Sequence, residues 1–203
     1  MLHSLYLVGI AAFAASGVLA AHEARLDPFG GLVLAFAASI TGGTLRDLIL
    51  DRHPLYWTHD WILLAIIVGT ATLTMVILRY GTLPRRSLLT MDAVGLSVVT
   101  VIGARAAVDA EVTPFAVIML AVLTGVAGEV VRDVLCGQYP PLLLREDIYA
   151  TAAVAGAMCY LLLNRAGTDP TSTTLISAGT VFAIRMAALR FGLHLPRLAP
   201  RRM

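Results

Sequence analysis

Long apolar runs, separated by short polar connections, dominate the chain. The runs cover about residues 3–21, 28–51, 61–79, 88–108, 114–137, 147–164 and 171–191. Several approach the roughly 20 apolar residues that an α-helix needs to cross the hydrocarbon core of a bilayer. The pattern therefore predicts an all-α membrane protein with seven transmembrane helices in a single domain, residues 1–203.

The first three runs and the next three form an internal repeat. Residues 5–81 align with residues 91–167 without a gap, and 19 of the 77 aligned positions are identical. The identities include pairs of glycine, proline and charged residues, which shared apolar composition does not explain: Gly9/Gly95, Gly17/Gly103, Pro28/Pro114, Gly42/Gly128, Arg46/Arg132, Asp47/Asp133 and Pro54/Pro140. Because each copy holds an odd number of helices, the second copy must enter the membrane in the opposite orientation. The sequence predicts a 3+3 inverted repeat plus a seventh helix at residues 171–191.

Composition supports a membrane protein and offers little for other classes. The chain is 58% hydrophobic and 14% charged, whereas soluble domains are about 45–50% apolar and about 25% charged. Its net charge of +2 comes from scattered arginines and does not indicate nucleic-acid binding. Cys136 and Cys159 lie in apolar runs without metal-ligand spacing. No Walker loop, nucleophile elbow or zinc signature is present, so we expect neither an enzyme nor a cofactor.

The distribution of arginines between the two sets of loops predicts the orientation. Cytoplasmic loops of membrane proteins carry an excess of arginine and lysine. With the N-terminus outside, the outer loops hold Arg52, Arg105 and Arg165, while the inner loops and the C-terminal tail hold Arg25, Arg79, Arg85, Arg86, Arg145, Arg190, Arg197, Arg201 and Arg202. We therefore predict the N-terminus outside and the C-terminus in the cytoplasm.

Glycine and charge interrupt the second and fifth runs at matching places. The interrupting residues are Gly42, Gly43, Arg46 and Asp47 in the second run and Gly128, Glu129, Arg132 and Asp133 in the fifth. A bilayer contains no water to satisfy a freed backbone group, so a broken helix is tolerated only against protein or a wet cavity. One interpretation is a pair of broken helices that line a pore or binding site. The alternative is that the glycines only allow close helix packing.

The buried charges should have partners, because an arginine within a membrane almost always faces the bundle interior or water and pairs there. Adjacent helical residues point about 100° apart, so we do not expect Arg46 to pair well with Asp47. Depth along the helices, at about 1.5 Å per residue, instead predicts an Asp92–Arg132 contact and a Glu129–Arg185 contact. The same depths place Arg46 and Arg132 near opposite faces. These contacts fit either structural locks or a gate.

The duplicated three-helix unit, with Arg-Asp after glycine in each copy and one further helix, resembles the trimeric intracellular cation channel family. The bacterial and archaeal branch of that family is also described as glycine-transporter-like. The resemblance spans roughly residues 5–191. It implies a multi-pass bacterial inner-membrane protein that forms a homotrimer. It also implies a pore in each protomer, lined by kinked helices two and five and permeable chiefly to potassium. The implied pore segment maps to Gly42, Gly43, Arg46 and Asp47 in one half and to Gly128, Arg132 and Asp133 in the other.

Two positions depart from the family pattern. Members often carry a glycine triplet before Arg-Asp, where this chain has Thr41-Gly42-Gly43 and Ala127-Gly128-Glu129. Many bacterial relatives carry an acid near the start of the first helix, but the position that matches Asp92 is Tyr6. We therefore expect a milder break in the second half and altered cation binding or gating at Glu129.

These features favour a potassium-preferring channel, with membrane lipids and further copies of the chain as partners. A fixed arginine repels a cation, so the acids Asp47, Asp92, Glu129 and Asp133 must neutralise the arginines, or the arginines must form a gate that moves. A transporter of glycine or a similar zwitterion is the alternative, with Arg46 or Arg132 holding the substrate carboxylate. A non-transporting scaffold would leave the paired interruptions unexplained. The expected ligands are the permeant potassium and bound lipid.

Overall fold

The computed structural model describes residues 2–81, 83–138 and 148–193, and within these ranges the chain is all-α, with no β-strand. The helices are α1 (Leu2–Glu23), α2 (Pro28–Ile49), α3 (Trp61–Tyr80), α4 (Arg85–Asp109), α5 (Pro114–Leu135), α6 (Ala150–Arg165) and α7 (Pro170–Phe191). All except α6 are long and apolar enough to cross a membrane. The predicted sixth span began at residue 147, outside the described residues, and α6 itself has 16 residues. The seven-helix fold is the predicted one.

Helices α2 and α5 begin in the same way because their sequences begin in the same way. The Asp27 carboxylate accepts a hydrogen bond from the amide of Gly30 at 2.7 Å, and Pro28 follows as the first helical residue. In α5, the Thr113 hydroxyl accepts from the amide of Ala116 at 3.4 Å ahead of Pro114. Such caps satisfy amides that have no partner within the helix, and proline at the next position loses no hydrogen bond.

The turns between helices also repeat in the two halves of the chain. The turns after α1 and α4 contain Arg25 and Glu111 with φ of 57° and 55°. After α2 and α5, a left-handed residue recurs at Asp51 and Gly137, with φ of 51° and 66°. All four positions are related by the alignment of residues 5–81 with 91–167. Similar local backbone therefore forms from rather different side chains.

The four helices α1, α2, α4 and α5 form the centre of the bundle. α1 packs against α4 and α2 against α5, so equivalent helices of the two halves meet in pairs. This is the contact pattern of two units related by a twofold axis. α3 packs on α1 and α2, while α6 packs on α4 and α5, and α7 packs on α4 and α6. The arrangement brings the C-terminal parts of α2 and α5, which carry the charged motifs, against the middle of the bundle.

Candidate functional site

The crossing of α2 and α5 is built on Gly42 and Gly128. A Cβ atom on Gly42 would overlap the carbonyl oxygen of Thr124, and one on Gly128 would overlap the carbonyl oxygen of Ala38. Ala38 and Thr124 occupy equivalent positions in the two halves, so the contact is the same in both directions. The two backbones touch at this crossing because neither glycine has a side chain.

The predicted break in these helices is wrong. Both α2 and α5 continue as α-helix through their glycines. Their internal hydrogen bonding is kept, so no freed backbone group has to be satisfied by water at these positions. Close packing, the second interpretation of the glycines, is what the structure contains.

Gly43 serves a different contact, with the loop between α2 and α3. A Cβ atom at this position would overlap the ring of Tyr56. The Tyr56 hydroxyl donates to the carbonyl oxygens of Ser39 and Ile40, each at 3.4 Å. Burial raises the pKa of Tyr56 to about 12, so its phenol stays protonated and able to donate at neutral pH. The loop is thereby fastened against α2 beside the first charged motif.

Arg46 and Asp47 form the first charged site. The Nε and Nη2 atoms of Arg46 donate to Oδ1 of Asp47 at 2.8 Å and 2.7 Å. Oδ2 of Asp47 accepts from the amide of Tyr56 at 3.2 Å. The guanidinium carbon of Arg46 lies 5.5 Å from the centre of the Tyr56 ring, a cation–π distance. Arg46 is 5% exposed and Asp47 3% exposed, so the pair is closed to solvent within the chain.

The expectation that Arg46 would not pair with its neighbour Asp47 is therefore wrong. The 100° separation describes the directions in which the two side chains leave the helix. The long arginine side chain can bend back, and in an apolar interior an unpaired guanidinium is costly. The same neighbour pair recurs in the second half, where Nε and Nη2 of Arg132 donate to Oδ1 of Asp133 at 3.0 Å and 2.7 Å.

The second site surrounds Arg132 with more acids than the first. Nη1 of Arg132 donates to Oδ1 of Asp92 at 3.2 Å, and this is the predicted Asp92–Arg132 contact. The same nitrogen also contacts Oε2 of Glu129, one helical turn earlier on α5. It further donates at 2.6 Å to the hydroxyl of Ser16, which in turn donates to Oε1 of Glu129 at 3.4 Å. Residues from α1, α4 and α5 thus meet on one guanidinium.

Among the described residues, the predicted ion pair between Glu129 and Arg185 does not form. Glu129 pairs with Arg132, while the guanidinium carbon of Arg185 lies 4.7 Å from the centre of the Tyr149 ring. Nη1 of Arg185 donates to the carbonyl oxygen of Ile148 at 3.2 Å. The depth argument placed both charges at a similar level, but depth does not give the direction of a side chain around its helix.

The two sites differ in charge because two aligned positions differ. Asp92 and Glu129 of the second site correspond to Tyr6 and Gly43 of the first. The first site therefore holds one acid and one arginine, whereas three acids surround Arg132. Among the described residues, no hydrogen bond or ion pair joins the two sites.

Three residues of these sites were not predicted to belong to them. Ser16 lies on α1, far from Arg132 in sequence, and its partners become visible only in the folded bundle. Tyr56 and Tyr149 lie outside the glycine-rich motifs, and neither has a spacing that would single it out. The available signal for Tyr56 was Gly43, since an extra glycine beside a charged motif can indicate a close contact.

Comparison with known proteins agrees with this architecture. The family model described as Glycine transporter matches the chain twice, at residues 3–79 and 89–165. The UPF0126 inner membrane protein YadS of Escherichia coli strain K12 is 39% identical over 201 residues, which cover 98% of this chain and 97% of YadS. The structure of the TRIC trimeric intracellular cation channel orthologue from Rhodobacter sphaeroides has a TM-score of 0.89 at 32% identity, covering 95% of this chain and 98% of that one.

The chain belongs to the trimeric intracellular cation channel family. A further solved TRIC cation channel, studied for its conductance, has a TM-score of 0.89 at 28% identity and covers 99% of this chain and 98% of its own. These solved members of the TRIC family are channels rather than enzymes, in line with the prediction from sequence. Both charged sites of the present TRIC family member lie within the two segments matched by the family model.

Proposed function

We propose that the protein is a potassium-preferring channel for monovalent cations, with a pore in each protomer lined by α2 and α5. The similarity to solved cation channels over nearly the whole chain supports the cation-channel function. The observation that carries the choice of helices is the pairing of a buried arginine with acids on each of them, beside the crossing at Gly42 and Gly128. The arrangement answers the electrostatic objection to an arginine in a cation pathway.

The repulsion between an unpaired arginine and a passing cation can be estimated. Two unit charges 4 Å apart interact by about 4 kcal/mol at an effective dielectric constant of about 20, so an unpaired arginine would strongly repel a passing cation. Asp47 accepts two hydrogen bonds from Arg46 and offsets its charge. Asp133, Asp92 and Glu129 offset and exceed the charge of Arg132. The arginines can therefore remain in the pathway as steric elements without a net positive field.

We further infer that the two arginine sites act as gates. Arg46 is 5% exposed and Arg132 1% exposed, so water does not reach either guanidinium in this structure. Passage of a hydrated or partly hydrated ion would require these side chains to move. Because each arginine is paired with the acid that follows it on the same helix, the pair can shift as a neutral unit with its helix.

The chain is proposed to act as a homotrimer in a bacterial inner membrane, with the N-terminus outside and the C-terminus cytoplasmic. Support for the trimer comes from the description of the Rhodobacter sphaeroides relative as a trimeric channel. Support for the membrane comes from YadS, an inner membrane protein. Four of the inner arginines behind the orientation, Arg145, Arg197, Arg201 and Arg202, lie outside the described residues. Potassium is proposed as the permeant ion, and lipid as a surface ligand.

The central test measures ion currents and glycine flux with the same protein preparation. Purified protein in planar bilayers should give unitary currents whose reversal potential follows the potassium gradient, and liposomes should show no saturable glycine uptake. Saturable glycine uptake without unitary currents would contradict the channel proposal and favour the transporter. Inertness in both assays would favour the scaffold. A glycine carboxylate would have to displace Asp47 from Arg46, which is why the channel is preferred.

The choice of site is tested by removing one partner at a time. Asp47→Asn leaves Arg46 without its counter-charge, so potassium conductance should fall, whereas Arg46→Gln should keep or raise it. Arg165→Ala provides a matched control, because Arg165 is exposed at the end of α6. Currents that respond equally to all three substitutions, or to none, would contradict the assignment of Arg46 and Asp47 to the pathway.

A further inference from the structure

Among the described residues, three acids contact one arginine in the second site. Asp92, Glu129 and Asp133 are 0%, 1% and 1% exposed, and Arg132 is 1% exposed. Nε and Nη2 of Arg132 are both directed at Asp133, which makes one balanced pair. Asp92 and Glu129 remain, and they share only the third nitrogen of the same guanidinium. A buried charge without a full partner is expensive in a protein interior, so this pair requires a compensating positive charge.

The geometry puts the two carboxyl groups next to each other. Oδ1 of Asp92 lies 3.2 Å from Nη1 of Arg132, and Oε2 of Glu129 contacts that same nitrogen. Two carboxylates that share one guanidinium nitrogen are only partly compensated, and in enzymes a close pair of carboxyl groups typically shares one proton.

Two buried oxygen atoms in this part of the bundle lack hydrogen-bond partners among the described residues. They are Oδ2 of Asp92 and the hydroxyl oxygen of Tyr149. Tyr149 is 0% exposed and belongs to the same buried cluster as Leu96 of α4 and Val126 of α5. Buried oxygens are rarely left without partners in native proteins, and an ionised one is the most costly.

The groups that face the pair come from every neighbouring element. α5 contributes Arg132 and Asp133, and α1 contributes the uncharged Ser16. Tyr149 precedes α6, and its ring carries the guanidinium of Arg185 from α7. The described residues contain no group of three or more His, Cys, Asp and Glu side chains that could hold a metal ion. Nη1 of Arg132 already contacts both carboxyl groups, and a proton bound to one carboxyl oxygen needs no further coordination space, unlike a metal cation.

We propose that Asp92 and Glu129 form a buried proton-binding site that holds one proton between them at neutral pH. The proton is taken from water, and the charge of the pair changes from −2 to −1 when it binds. The first site cannot do this, because Tyr6 and Gly43 stand at the corresponding positions. The proposal does not depend on channel function, since it concerns the charge state of the folded protein.

Infrared spectroscopy of the protein in lipid nanodiscs tests the proposal directly. The wild type should show the carbonyl band of a protonated carboxyl group at neutral pH, with the small shift in heavy water that an exchangeable proton produces. Glu129→Gln and Asp92→Asn should each abolish this band, because either one removes a partner of the shared proton. Asp109→Asn is the matched control, since Asp109 lies on the same helix as Asp92 and its side chain is 58% exposed. The control should keep the band.

Three results would overturn the proposal. The first is a wild-type spectrum with no protonated carboxyl band at neutral pH. The second is a band that survives in the folded form of either substitution, with folding verified by size-exclusion chromatography and circular dichroism. The third is a band that appears only when potassium and sodium are replaced by a large organic cation, because a metal ion would then be the occupant. The two near-isosteric substitutions provide independent tests, and absence of the band from the wild type overturns the proposal even if neither variant folds.

Discussion

The two arginine sites have similar backbone geometry, but different side chains surround each arginine. Both follow a glycine at the crossing of α2 and α5, and in both the arginine pairs with the next residue. The first site is closed by an aromatic residue, Tyr56, whereas the second is closed by acids and a serine. Duplicated backbone geometry therefore does not determine the charge of a site. Single side chains placed on a common frame give one balanced site and one site with excess negative charge.

One small residue explains much of this difference. Gly43 leaves the space that the Tyr56 ring fills, and the aligned residue in the other half is Glu129. Glu129 projects a carboxylate to Arg132. A glycine at one position thus admits an aromatic loop, and a glutamate at the equivalent position brings a charge. Substitutions in each site test whether the two sites, which differ in their side chains, also contribute different amounts to the free energy of unfolding.

The largest expected effect separates the two arginines. Arg132→Met should lower the free energy of unfolding by about 3–5 kcal/mol, since it leaves buried carboxylates without their counter-charge. Arg46→Met should cost less, because only Asp47 loses its partner and the amide of Tyr56 still donates to it. Unfolding by titration with a denaturing detergent measures both. Equal losses, or a larger loss for Arg46→Met, would show that the second site does not depend more strongly on its arginine than the first.

A double substitution provides the control for the first site. Arg46→Met combined with Asp47→Leu removes both charges of the pair. It should therefore be more stable than Arg46→Met alone, because no unpaired buried charge remains. A double variant that is less stable than the single one would mean that Asp47 contributes mainly through its hydrogen bond with the loop.

The next prediction concerns the crossing of α2 and α5, where the two halves make the same contact. Gly42→Ala and Gly128→Ala should each cost about 1–3 kcal/mol, because the added methyl group meets a backbone carbonyl that cannot rotate away. Gly69→Ala on α3 is the matched control, since nothing lies within 4 Å of a Cβ atom there. The same unfolding titration compares all three. Clearly unequal losses at Gly42 and Gly128 would show that the crossing is not symmetric in energy.

A smaller effect concerns the link from α1 to the second site. Ser16→Ala removes the hydroxyl that contacts Arg132 and Glu129. The expected loss is about 0.6–1.5 kcal/mol, because Arg132 keeps its acidic partners. Ser4→Ala, at an exposed position of the same helix, should have no measurable effect. A loss at Ser16 no greater than at Ser4 would remove Ser16 from the site.

The smallest effect concerns the aromatic closure of the first site. Tyr56→Phe removes two long hydrogen bonds of 3.4 Å but keeps the ring beneath Arg46 and against Gly43. We expect a loss of at most about 0.5 kcal/mol. Tyr56→Ala should cost several times more in the same titration, because the ring contacts are lost as well. Similar losses for the two variants would assign the role of Tyr56 to its hydroxyl rather than its ring.

The fold was largely predictable because its signals are local. Apolar run length gave seven helices, and the aligned prolines Pro28 and Pro114 each begin one of them. The site was predictable in part. Depth along a helix follows from residue number, and it identified the Asp92–Arg132 contact. Depth says nothing about direction around the helix axis, and for that reason the Glu129–Arg185 pair was predicted but does not form.

The sequence by itself determined the number of helices, their apolar character, the repeat and the positions of the buried charges, since each depends on the order of residues along one helix. Only the tertiary structure decided that the glycines pack two continuous helices together instead of breaking them. It also decided that Ser16, Asp92 and Glu129 meet on Arg132. These outcomes depend on how helices rotate against one another, and that rotation is set by the packing of all side chains together.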